Sequence, residues 1–160
     1  MEISLTLCLP RESRSIPVSR HLLTTVLAGL GVSQGCIDDI ALAQTEACGN
    51  VIRHATAGQE YEVRAHLDAA RCRIEVADAG PGFARTLAAG QPDPRVVDGR
   101  GILSESGRGI ALMRATVDAL DFRSGAGGTT VCLEKALRYE PDQRPPEGLA
   151  ITGEPAPPAG

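Results

Sequence analysis

The opening stretch EISLTLCLP alternates, with Ile3, Leu5, Leu7 and Leu9 on one side, so its period of two predicts a half-buried strand ending at Pro10. After a polar loop, Ser15 and Pro17 suit a helix start. Val18, Leu22, Val26, Leu27 and Leu30 then return at helical spacing until Gly29 and Gly31 end the run. A second helix is predicted from about Cys36 to Ala57, closed by Gly58. EYEVRAHLD alternates strictly through Tyr61, Val63, Ala65 and Leu67. After Ala69 and Ala70, RCRIEVADAG alternates again through Cys72, Ile74 and Val76, and the pair reads as an antiparallel hairpin. From Gly80 to Gly107 the chain is rich in Gly and Pro with little periodicity, a long loop of the kind that is usually either functional or disordered. A third helix from about Arg108 to Ala119 and a hairpin of LDFRS with TTVCLEK complete the pattern. These elements predict an α+β fold: a two-layer sandwich of a mixed, largely antiparallel five-stranded sheet with helices on one face.

Length and composition narrow what such a fold does. The 160 residues suffice for one domain, placed at residues 1–138, and the Pro-rich stretch 139–160 reads as a flexible tail. With no Trp, two Tyr and two Phe the core must be aliphatic, and no aromatic platform exists for stacking bases. A net charge of −4 also argues against direct nucleic-acid binding. The five cysteines are scattered and never spaced C-x-x-C, which fits reduced thiols in a cytoplasmic protein better than a disulfide framework or a zinc site. No apolar run reaches the roughly 20 residues a membrane helix needs, and no signal peptide opens the chain.

The candidate chemistry lies where local patterning breaks. In EACGNVIRHA, taking Glu46 as zero at 100° per residue, Asn50 lies at about 40° and Arg53 at about −20°, while Ile37, Ile40, Ala41, Cys48, Val51, Ile52 and Ala55 fall between about 120° and 240°. The helix thus has an apolar back and a narrow polar front. That front either meets water or serves a magnesium–phosphate site, the amide oxygen ligating Mg2+ and the carboxylate positioning or deprotonating a hydroxyl. Asp78, in VADAGPGF, continues the inward side of its strand. It either opens a turn or places a carboxylate where a ligand amine such as that of adenine would satisfy it. Gly80 and Gly82 follow, permitting close backbone approach to a flat ring. In SGRGIALM, Gly107 and Gly109 stand before the third helix and either merely end the loop or open a helix start whose first N–H groups and dipole would cradle phosphate beneath a lid-like loop. Thr129, in GGTTVCL, lies on the apolar side of its strand, either as an ordinary β-branched strand residue or with its hydroxyl placed to reach the site Asp78 would serve.

In this order and spacing the four breaks resemble the Bergerat-fold ATPases, the superfamily of gyrase, histidine kinases and MutL. Glu46 and Asn50 match the N box, Asp78-Ala-Gly-Pro-Gly82 the first glycine box, Gly107-Arg-Gly109 the second, and Gly128–Thr129 the third. The run GRGIALMRATVD with GGTTV is most similar to bacterial anti-sigma-factor serine/threonine kinases. The resemblance covers roughly residues 3 to 135. It implies an ATP-binding protein kinase, usually homodimeric, that binds an RNA polymerase sigma factor in one state and phosphorylates a STAS-type anti-anti-sigma protein in the other. It casts Glu46 as base and Asn50 as Mg2+ ligand. Asp78 reads the adenine amino group with help from Thr129, and Gly80 and Gly82 approach the ring. Gly107, Arg108, Gly109 and the amides from Ile110 onward hold phosphates, with His54 structural or near the phosphates.

Two rivals remain open at this stage. A sensor histidine kinase would need His21 as phosphoacceptor, yet that residue sits on a short helix already needed for packing, without the expected acidic neighbour. A pure binding module, in which nucleotide only tunes partner affinity, would use the same pocket and move no phosphate.

Overall fold

The computed structural model describes residues 2–54, 58–78, 105–125 and 128–141. The elements run β1 (Ile3–Pro10), α1 (Ser15–Gly29), α2 (Gln34–His54), β2 (Glu60–Leu67), β3 (Arg71–Asp78), α3 (Glu105–Thr116), β4 (Ala119–Gly125) and β5 (Gly128–Ala136). The sheet order is β1-β2-β3-β5-β4. All four pairings are antiparallel, so the mixed sheet expected from the pattern resolves into its antiparallel limit.

One face of the sheet is the core. Tyr61, Val63, Ala65 and Leu67 of β2, Cys72, Ile74 and Val76 of β3, and Val131 and Leu133 of β5 are all buried in one cluster with α1, α2 and Met113 of α3. The other face is charged, with Arg71 and Arg73 both bonded to Glu134 across the β3–β5 pairing. Asp68 shapes the β2–β3 turn by accepting the N–H groups of Ala70 and Arg71, at 2.7 and 2.8 Å.

α1 ends where Gly31 adopts a φ of 76°. The N–H of Val32 then donates to Leu27 O and that of Gly31 to Ala28 O, a Schellman closure that turns the chain toward α2. Which face α1 buries differs from the apolar stripe. Ser15, Ser19, Leu23 and Leu27 point inward, while Val18 and Leu22 are 51% and 44% exposed. Burying the serines costs little because their hydroxyls are satisfied: Ser15 Oγ donates to Glu12 O and lies 2.8 Å from Tyr61 OH, and Ser19 Oγ donates to Ile16 O. Desolvation raises the Tyr61 pKa to about 12 and the Cys48 pKa to about 11, so both stay neutral here.

Three expectations shift. α3 begins at Glu105 and stops at Thr116, three residues earlier at each end, and Ala119 belongs to β4. Tyr139 and Glu140, assigned by composition to the tail, are tied into the fold: Tyr139 OH donates to Ala69 O, and the N–H of Glu140 to Gly31 O. The rest of the tail from residue 142 and the long loop over residues 79–104 lie outside the described residues. No described helix is long and apolar enough to cross a membrane.

Candidate active site

α2 sits between the sheet, α1 and α3, so its environment is not that of a surface helix. The arc it buries includes Ala43, Ala47 and Asn50 as well as Ile40 and Val51. The apolar back is therefore only part of what is covered, and the polar front of Glu46 and Asn50 faces α3 rather than bulk water. Asn50 is 8% exposed. A Cβ built on Gly109 would stand 2.6 Å from Glu46 Oε2 and 3.8 Å from Asn50 Oδ1. The backbone of α3 thus lies directly on the carboxylate–amide pair, and any side chain at 109 would displace the Glu46 carboxylate.

This alters one expectation. Gly107 and Gly109 lie inside α3, not in a loop before it. The first turn of the helix, whose N–H groups have no partner within the helix itself, then holds Gly107 and Arg108. Arg108 is exposed, Gly109 buried and Ile110 half-buried against the core. Met113, one turn on, is fully buried and holds α3 in place.

Asp78, at the end of β3, is 3% exposed. Its Oδ1 accepts the backbone N–H of Thr129 at 3.1 Å. The carboxylate expected to turn inward does so, and the hairpin strand β5 supplies one donor for it. Burial pushes the Asp78 pKa up, opposed by the Thr129 N–H and by the Arg11 guanidinium. Opposite Asp78 in the β2–β3 register stands Tyr61, whose hydroxyl is engaged with Ser15. Gly80 and Gly82 lie outside the described residues, as does the side chain of His54, the last residue of α2.

Two residues of this region carry more than their sequence position suggested. Arg53, placed on the polar front by the helical wheel but given no role, donates from Nη2 to Asn50 Oδ1 at 2.9 Å. Lys135 is buried on β5, and its Nζ donates to Asp39 Oδ2 of α2 at 2.8 Å and to Thr116 O at the end of α3. That one ammonium ties together the sheet and the two helices that bring Glu46, Asn50 and Gly109 into contact. Strand alternation places Lys135 inward with Val131 and Leu133, a signal of the same kind that singled out Asp78.

The sequence pattern of the histidine kinase-like ATPase domain matches residues 9–135. The chain belongs to that family. As a member of the histidine kinase-like ATPases it is 30% identical over 140 residues to the serine-protein kinase RsbW of Bacillus velezensis, covering 82% of this chain and 84% of that one. The serine-protein kinase RsbW of Halalkalibacterium halodurans is 28% identical over 153 residues, covering 93% of each. Among solved structures, the RsbU and RsbW domains of a Mycobacterium tuberculosis protein share the fold with a TM-score of 0.62 at 24% identity. That match takes in 86% of this chain and 33% of the other, so this member of the family spans about one third of the mycobacterial chain.

Proposed function

We propose that this chain is an ATP-dependent protein serine/threonine kinase of a cytoplasmic partner-switching system. In this reading it sequesters a sigma factor in one state and, in the other, binds and phosphorylates a STAS-type anti-anti-sigma protein. The observation that carries the proposal is the close packing of Gly109 on Glu46 and Asn50. A helix start, a carboxylate and an amide are gathered in one place without a side chain between them. Relatives named as serine-protein kinases, with more than four-fifths of both chains aligned, support the choice of reaction.

The residues present fit a magnesium nucleotide. Asp78 is a buried carboxylate with a raised pKa, so an exocyclic amine supplies a donor beyond the backbone N–H groups already there and offsets part of its desolvation. The unpaired N–H groups at the start of α3, with Arg108, suit phosphate oxygens. Asn50 Oδ1 accepts from Arg53 in this structure, and with that guanidinium turned toward the phosphates it would offer a neutral oxygen to a cation that keeps most of its other ligands from phosphate and water. Bound ATP with Mg2+ supplies the phosphoryl group. Glu46 then orients the incoming serine hydroxyl and takes its proton, and Gly109 leaves that carboxylate room to do so. Transfer through a loose transition state asks mainly for positioning and charge neutralisation, which this set provides. Val18 and Leu22, exposed on α1, support a homodimer built on that helix.

The test is to incubate the protein with ATP, Mg2+ and small STAS-type proteins encoded beside its gene, and to look for phosphoserine or phosphothreonine by mass spectrometry. Transfer that disappears with Glu46→Ala, while ATP binding persists, supports the proposal. Nucleotide-dependent complex formation with no phosphate moved would make the chain a binding module instead.

A further inference from the structure

β1 stands at one end of the sheet and, among the described residues, pairs only with β2. The N–H of Arg11 donates to Gln59 O at 2.8 Å, one step beyond the Pro10–Glu60 pair. Alternation then turns the N–H and C=O groups of Ile3, Leu5, Leu7 and Leu9 toward β2, and those of Ser4, Thr6 and Cys8 toward the open edge. Pro10 falls on the open side as well, where its missing N–H takes nothing from the ladder to β2. No charged residue interrupts Ile3–Pro10, although charges are a usual means of keeping such an edge unpaired.

The aliphatic side chains along this edge are incompletely covered. Ile3, Leu5, Leu7 and Leu9 are half-buried, while Tyr61, Val63, Ala65 and Leu67 on the same face of β2 are buried. α1 touches β1, whereas α2 covers β3 and β5. On α1, Arg20 and Thr24 face the groove toward α2. Val18 and Leu22 lie about 160° around the helix from that pair at about 100° per residue, on the flank that overhangs the open edge.

We propose that two copies of this chain pair β1 to β1, antiparallel and centred on Thr6, joining their two sheets into one. This pairing rests on the homodimer read from Val18 and Leu22 and gives it a geometry. Opposed residues of an antiparallel pair share a face, so the aliphatics meet their own kind only when odd positions face odd ones. Centring on Thr6 engages the whole strand: Ile3 faces Leu9 of the second copy, Leu5 faces Leu7, and Ser4 faces Cys8. Glu2, Ser4, Thr6 and Cys8 then donate to the carbonyls of Pro10, Cys8, Thr6 and Ser4 in the second copy. The missing N–H of Pro10 falls at the last position, where only its carbonyl is used. The same two-fold turns Val18 and Leu22 of the two α1 helices toward each other over the joined strands. Both nucleotide sites, built on α2, α3, β3 and β5, lie away from this seam.

Sedimentation equilibrium and oxidation with copper phenanthroline test this on the full-length protein. Wild type is expected to be a dimer that does not cross-link, because the register holds the two Cys8 residues about 14 Å apart. Ser4→Cys is expected to become a disulfide-linked dimer in most of the protein, since position 4 then stands about 5.5 Å from Cys8 of the second copy, within disulfide reach. Ser4→Cys/Cys8→Ser is expected to lose that cross-link. Thr6→Pro removes an N–H that the fold itself does not use, and is expected to stay folded while its dimer dissociation constant rises at least tenfold. A dimer in which Ser4→Cys does not cross-link overturns the inference and spares the homodimer, and so does a folded Thr6→Pro protein that dimerises as wild type does. Wild type that cross-links through Cys8 overturns the register. A monomer at every concentration overturns both the pairing and the homodimer.

Discussion

Gly109 is a glycine because of what lies beneath it. A methyl group there would meet the far end of a flexible side chain, Glu46 Oε2 at 2.6 Å, so the carboxylate would swing aside rather than the helix. Alanine also gains about 1 kcal/mol of helix preference over glycine. Gly109→Ala is therefore expected to leave the melting temperature within a few degrees of wild type while lowering phosphoryl transfer at least tenfold, as thermal unfolding and a transfer assay would read. Asp78 follows the opposite logic of a site residue that costs stability. Its pKa is raised on folding, so its contribution is most favourable below the unfolded-state pKa and is lost as pH rises through the folded value. Asp78→Asn is expected to hold or raise the melting temperature at pH 7, to flatten its decline between acid and neutral pH, and to weaken ATP binding by about 10- to 100-fold, the worth of a charged hydrogen bond. A variant less stable than wild type at neutral pH would contradict the burial argument.

At the scale of elements, the strands were legible almost to the residue because each buries one face and exposes the other, and a period of two leaves little ambiguity. The helices were legible in place but less so in orientation. α1 turns Ser15 and Ser19 inward, since their hydroxyls find partners, and leaves Val18 and Leu22 outside. Apolar spacing alone cannot register that exchange. α3 starts three residues early because the helix accommodates both glycines read as a loop, and at Gly109 the absent side chain lets the backbone lie close to α2. Lys135 joins β5 to both α2 and α3. Lys135→Met removes the donor to the Thr116 carbonyl and the partner of Asp39, and is expected to destabilise by about 1–3 kcal/mol in urea unfolding. Asp39→Asn, which keeps an acceptor at a more exposed position, is expected to cost less. Equal losses for the two would mean that the pair acts only through its charge.

For the whole molecule, the order of motifs along the chain carried the fold and family, because four weak signals in sequence constrain topology far more than each alone. What remained illegible was the choice of partner: that Arg53 grips the Asn50 oxygen, that the inward-facing Lys135 braces the helices, and that Glu140 returns the chain to the start of α2. Local patterning can turn a side chain inward without saying which group it meets. In the proposed mechanism the site is one pocket with divided roles, in which Asn50 serves the cation and Glu46 the reaction. Calorimetric titration of ATP into wild type and Asn50→Ala, with Mg2+ and with chelator, tests that most directly. Wild-type affinity is expected to fall when Mg2+ is removed, and Asn50→Ala to bind weakly with no response to the metal. An Asn50→Ala protein that binds ATP as tightly as wild type, and responds to Mg2+ in the same way, would contradict it.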